Sequence, residues 1–148
     1  MVAAAILVGG ALVVGTLAGS SDAVTRTTLT LNGVTFRPEL ALSGDARARG
    51  LMHRRRAPKD GMLFVFPGPS DGGFWMKNTL VPLRIVFFDS HGLRVRAFTM
   101  KPCRQESCPI YDPHRTYRFA LELAATDQRP ATRLGPRAAL RGLMRRAS

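Results

Sequence analysis

The sequence predicts a mostly β (α+β) fold: one small domain with one or two short helices, behind an N-terminal hydrophobic leader. Three observations carry this. Short apolar or alternating runs, punctuated by Gly, Pro, Asn and Asp, recur from Leu29 to Leu123. Helix start and stop signals are confined to two short stretches. No charged residue occurs before Asp22. A chain of 148 residues has room for a single domain and a leader.

The elements follow in order. Thr28-Leu29-Thr30-Leu31 alternates, Asn32-Gly33 interrupts, and Val34-Thr35-Phe36 alternates again. Asn-Gly between alternating runs predicts a hairpin, because both turn residues must accept positive φ. Pro38 ends the second strand or makes it an edge, with Leu40 and Leu42 able to extend it. Ser43 reads as an N-cap with Asp45 in the first turn, and Gly50 ends the helix. Leu51 and Met52 are expected on the core, and Arg54-Arg55-Arg56 on a solvated turn. Met62-Leu63-Phe64-Val65-Phe66 is a continuous apolar strand, expected to be buried on both faces. Residues 67–73 are turn chemistry, and Phe74-Trp75-Met76 is extended. Residues 83–89 and 93–98 form a second hairpin about Ser90-His91-Gly92. Tyr117 to Leu123 reads as the last strand. The tail is expected to hold a short helix over residues 137–146, since Pro130 and Pro136 interrupt anything longer.

Residues 2–18 contain only Val, Ala, Ile, Leu, Gly and Thr. Seventeen apolar residues stand at the lower edge of what spans a bilayer, and small residues follow at Thr16-Leu17-Ala18 and Ser21-Asp22-Ala23. Residues 1–23 are therefore read as a signal peptide or N-terminal membrane anchor, touching the membrane if uncleaved. The protein is expected to be extracytoplasmic, secreted or membrane-tethered. With no Cys after the leader, a bacterial lipoprotein anchor is excluded.

The chain carries 22 basic residues against 10 acidic, a formal charge of +12, and nineteen of the basic residues are Arg. A basic surface attracts polyanions such as acidic envelope polymers, anionic lipid or nucleic acid. A coding bias toward Arg and Ala is the alternative, and export argues against nucleic acid as the partner. Only the stretch after Gln128 is locally extreme, with six Arg and no acid.

Cys103 and Cys108 sit in one loop, and in an exported protein they are expected as a disulfide. A metal site completed by His114 has the wrong cysteine spacing for zinc, so no metal or other cofactor is assigned. Trp75-Met76-Lys77-Asn78-Thr79 sets an apolar wall beside hydrogen-bonding side chains, which is how a small-ligand pocket is built. Lys77 would hold an anion or carbonyl there, and Asn78 and Thr79 would orient it. Alternatively, Trp75 is core while Asn78 and Thr79 satisfy backbone groups in a turn before Pro82. No nucleophile elbow, phosphate loop, metalloprotease helix or paired-carboxylate spacing is present, and His53, His91 and His114 fall in loops or turns. No catalytic residue is assigned.

Gly50-Leu51-Met52, residues 61–66, Phe74-Trp75-Met76-Lys77-Asn78-Thr79, Pro82-Leu83 and Leu121-Glu122 together resemble a bacterial and archaeal family. It is domain of unknown function 192 (DUF 192), also called uncharacterised protein family 0127. Cys103 and Cys108-Pro109 resemble the cysteine loop of many members. The resemblance covers residues 27–124 and implies a compact domain with a barrel-like sheet and short helices, often behind a signal peptide. It implies no established activity. Residues 125–148 depart from the family pattern and read as a basic C-terminal extension that keeps Arg133-Leu134-Gly135. The expected function is a non-catalytic envelope module binding a small ligand, an acidic polymer or a protein. The alternative is an enzyme of unrecognised type acting on an envelope component, with Lys77, Asn78 and a loop histidine as its candidates.

Overall fold

The computed structural model of the chain describes residues 25–148; the leader and its processing signals, residues 1–23, lie outside them. No helix among the described residues is long and apolar enough to cross a membrane.

The Asn32-Gly33 hairpin forms as its sequence predicts. β1 (Leu29–Leu31) and β2 (Val34–Phe36) are antiparallel, and the two turn residues take φ of 50° and 82°. Beyond Pro38 the expectation needs correcting. Leu40 does not extend β2; it belongs to β3 (Glu39–Ala41), which pairs parallel with β4 (Met62–Ser70) in another sheet. Pro38 has no N–H to continue the first ladder, so the chain changes partner there. α1 (Gly44–Arg49) starts on Ser43, whose hydroxyl accepts from the Ala46 N–H, and stops at Gly50 with φ of 48°. Leu51 is buried as expected. Arg54 is not simply solvated: its Nη1 lies 2.8 Å from the buried carboxylate of Glu39, and Arg26 holds the other oxygen at 3.1 Å.

The remaining elements are β5 (Phe74–Trp75), β6 (Leu83–Phe88), β7 (Arg94–Met100), β8 (Ile110–Tyr111), β9 (Tyr117–Ala124), β10 (Leu134–Gly135) and α2 (Arg137–Arg146). A mixed five-stranded sheet runs β3-β4-β9-β6-β7, a three-stranded sheet runs β10-β1-β2, and β5 pairs with β8. Among the described residues the class is mostly β with two helices, and the sheets stay open instead of closing into a barrel.

The sequence placed a turn over residues 67–73, but β4 continues through Pro67-Gly68-Pro69 to Ser70 across a register shift. The shift frees carbonyls, and two arginines take them: Arg47 donates to Val65 O, and Arg118 donates to Phe66 O and Pro67 O. Likewise β9 is not the last strand. Residues 125–148 return to the domain, where β10 pairs with β1 and α2 buries Leu140 and Leu143.

Both faces of the five-stranded sheet are covered, which accounts for the continuous apolar runs of β4 and β6. On one face Leu63, Val65, Val86, Phe88, Phe119, Leu121 and Leu123 pack against β1, β2 and α2. On the other, Met62, Phe64, Ile85, Phe87 and Ala120 pack against Leu51, Met76 and Tyr117. Gly61 lets β4 start flush against β9: its φ is +72°, and a Cβ there would overlap the Glu122 carbonyl.

Candidate functional site

The second face of the sheet is incompletely roofed. A cleft of about 240 Å³ opens there between the end of α1, the middle of β4 and the start of β5. Gly50, Leu51, Phe64, Phe66, Phe74 and Trp75 supply apolar wall, Thr79, Ser70 and Tyr117 supply hydroxyls, and Arg47 and Arg49 bring two guanidinium groups to the lining. Phe74 is the hub of the aromatic wall, with its ring edge-on to Phe64 at 5.0 Å and to Phe87 at 5.5 Å between centroids. Tyr117 donates to Gly72 O at 2.7 Å and accepts from Ser70 Oγ at 3.3 Å, which fixes the loop entering β5. Burial pushes the Tyr117 phenol up from its ordinary range.

Glu122 is the anomaly of this face. Its neighbours across β4 and β6 are Met62 and Ile85, it is 5% exposed, and it lines the cleft. No described group hydrogen-bonds or ion-pairs with its carboxyl. Taken out of water with no compensating partner, the carboxyl has its pKa raised by desolvation from 4.5 to about 8. At neutral pH it is therefore a neutral acid, able to donate one hydrogen bond and accept others.

The structure divides the Trp75–Thr79 block. Trp75 is 49% exposed and stands at the cleft wall, so it is not core. Met76 turns the opposite way and is fully buried. Lys77 does not line the cleft; its Nζ donates to Gln105 O at 2.8 Å. Asn78 occupies a turn with φ of 55°, where its N–H donates to Cys103 O and its carbonyl accepts from the His53 N–H. Thr79 is buried and lines the cleft. Two of the five residues, Trp75 and Thr79, thus meet Glu122 at one cavity. Lys77 and Asn78 face the cysteine loop instead.

That loop is closed by the Cys103–Cys108 disulfide, with Cα atoms 5.9 Å apart. Cys103 forms bridges to both Lys77 and Thr79, so the disulfide loop clamps the turn that delivers Thr79. A disulfide points to an oxidising, extracytoplasmic setting. His53, His91 and His114 are exposed; His114 Nδ1 lies 3.6 Å from Asp112.

Sequence reasoning missed Glu122 as a site residue. The available signal was an acid inside the otherwise apolar second half of a strand, Ala120-Leu121-Glu122-Leu123.

Comparison with known proteins places these features in context. The sequence profile of DUF192, described as Uncharacterized ACR, matches residues 27–130. A crystallised protein of Sinorhizobium meliloti 1021, assigned by name to transcription regulation, shares 31% identity and superposes with a TM-score of 0.64. The match covers 76% of this chain and 94% of that one. A protein of unknown function from Novosphingobium aromaticivorans DSM 12444 shares the fold, with 22% identity, a TM-score of 0.62 and coverage of 76% and 85%. No curated protein matches the chain.

Proposed function

The chain belongs to the DUF192 family, whose function is unknown, and we propose that it is an exported, non-catalytic module that binds a small ligand in the cleft over Glu122. One observation carries this reading: an unpartnered carboxyl forms the floor of an apolar cavity open to solvent. Desolvation of this carboxyl costs free energy that an apolar residue at the same position would avoid. A ligand that hydrogen-bonds the carboxyl would remove the penalty. The half-exposed indole of Trp75 supplies a flat apolar wall at the entrance. Arg47 lies on the rim with its donors committed to Leu42 O, Val65 O and Ser148 O, and its charge disfavours a cationic guest. A neutral ligand bearing an amide or hydroxyl fits this lining best. Export is supported by the apolar leader and by the disulfide.

The alternative of an enzyme has one favouring observation, the raised pKa of Glu122, which suits a general acid. A nucleophile or second carboxylate beside it would be needed. The groups that share the cleft are the Ser70 and Tyr117 hydroxyls, which hold the β5 loop, the Thr79 hydroxyl, and the guanidinium groups of Arg47 and Arg49, and binding without chemistry accounts for them.

Trp75 is the chain's single tryptophan, so its emission reports the cleft. Small neutral amides, polyols and saccharides are titrated against wild type and Glu122→Met, an unbranched apolar replacement. The expected outcome is an emission shift in wild type that the variant lacks, together with about 1–3 kcal/mol of added stability in the variant. Loss of stability on removing the carboxyl would show a structural role and sink the reading.

A further inference from the structure

α2 carries its charges where local helix energetics disfavours them. Arg137, Arg141 and Arg145 recur at four-residue spacing, and Arg146 flanks them. At 1.5 Å rise per residue, neighbours in this row stand about 6 Å apart along the axis, and like charges at that spacing repel. Arg137 also sits at the helix N-terminus, where the dipole favours an anion, and the first turn holds no acid. All four side chains are exposed, and none forms an ion pair with a described residue. The helix is held on the domain by Leu140 and Leu143, not by its surface.

Topology sets this row beside the place where the chain leaves for its apolar N-terminal segment. At one end of α2, Gly135 is paired with Thr30 of β1, just ahead of Arg137. At the other, the Ser148 N–H donates to Leu42 O, while the Leu40 N–H donates to Thr25 O. Leu40 and Leu42 are two residues apart, about 7 Å at a strand's rise. Residues more than a hundred positions apart in sequence are thus gathered at the first described residue of the chain. Six residues separate it from Ala18, where an apolar run of 17 residues ends, at the lower edge of what spans a bilayer.

We infer that the exposed face of α2 is a membrane-contact surface, laying Arg137, Arg141, Arg145 and Arg146 on anionic phospholipid headgroups where the N-terminal segment meets the same bilayer. The outward face offers Arg and Ala138. It has no aromatic ring to stack a base and no amide to read one, so a phosphate surface suits it better than nucleic acid. With no large apolar side chain facing out, the contact is electrostatic and shallow. The inference rests on the membrane-directed reading of the leader and is independent of the cleft.

The full chain is partitioned between buffer and vesicles of phosphatidylcholine, with and without phosphatidylglycerol, near physiological ionic strength. Uptake by neutral vesicles reports the leader; the ratio of anionic to neutral uptake reports α2. Each arginine near such a surface favours binding by roughly five-fold, so the four together raise the ratio on the order of 100-fold or more. Replacing all four with Gln removes most of that ratio at unchanged neutral uptake, whereas replacing all four with Lys retains it. Added salt collapses the wild-type ratio, because the contact lies within a Debye length. A Gln variant that is folded by circular dichroism and keeps the wild-type ratio would overturn the inference. So would a wild-type ratio insensitive to salt, or a wild type that ignores phosphatidylglycerol but binds duplex DNA in the same buffer.

Discussion

The two faces of the five-stranded sheet are built from the same strands and end in opposite states. Along β9, Phe119, Leu121 and Leu123 enter a core sealed by the hairpin and α2, with no polar side chain among its buried members. Ala120 and Glu122 alternate with them onto the other face, where the roof is short strands and loops and a cavity remains. A strand's period of two means that adjacent residues sample different solvents, so one strand can stabilise a fold and carry a destabilising acid at once. The difference separates what holds the domain together from what it has available for function. Close packing on the first face tolerates the unsatisfied group on the second.

The contrast is easiest to break by cutting one side chain on each face. Phe119→Ala removes a fully buried ring from the sealed core and is expected to cost about 3–5 kcal/mol in chemical denaturation. Trp75→Ala, at the mouth of the cleft, is expected to cost under about 1 kcal/mol, because its ring is already half in water. Comparable losses from the two would mean that the cleft is part of the load the core carries, and the separation would fail.

A second measurement sharpens the open face alone. Between about pH 4.5 and pH 8 the unfolded chain has an ionised Glu122 and the folded chain a protonated one, so the folded state binds the extra proton. Stability therefore falls as pH rises through this window, by roughly 1.4 kcal/mol per unit from this group, and levels off above pH 8. Asp127 acts in the opposite sense but lower down. Its hydrogen bonds to Arg129 hold its pKa below the ordinary carboxylate value, so its contribution is lost only as pH falls toward that range. Glu122→Gln should flatten the slope above pH 5 and leave the acid limb in place. Superimposable stability profiles for wild type and variant would show that the carboxyl reaches water.

How much of this was legible in the sequence follows from how local each cause is. Asn32-Gly33, the Ser43 cap and the Pro136-bounded helix were readable because a few consecutive residues dictate their conformation. The β3 switch and the extension of β4 past Pro67 were not, because they depend on arginines and strand partners far along the chain. Glu122 was hidden by the period of the strand itself. In Tyr117-Arg118-Phe119-Ala120-Leu121-Glu122-Leu123, Arg118, Ala120 and Glu122 read as an outward face. Only the packing of Leu51, Met76 and Phe74 over it makes that face interior. The same period explains why the Trp75–Thr79 block could not be one wall. Neighbouring side chains point apart, so Met76 goes to the core while Trp75 stays at the rim.

A last variant tests how the open face keeps its shape without a sealed core beneath it. The Cys103–Cys108 disulfide closes a short loop whose backbone meets Lys77, Asn78 and Thr79, so the covalent link restrains the turn that ends at the cleft. Replacing both cysteines with Ser is expected to cost about 2 kcal/mol by the loop-closure estimate. Unlike truncation of Phe119, it should also change the surroundings of Trp75 while the protein is still folded. Slackening of residues 77–79 is expected to red-shift indole emission and increase its quenching by acrylamide, with far-UV circular dichroism unchanged. Phe119→Ala, measured in the same way in native buffer, should leave the indole signal as in wild type. If the serine variant loses stability but its tryptophan reports nothing, the clamp stabilises the domain without shaping the cleft, and the open face must owe its form to the Tyr117–Gly72 hydrogen bond and the aromatic wall around Phe74.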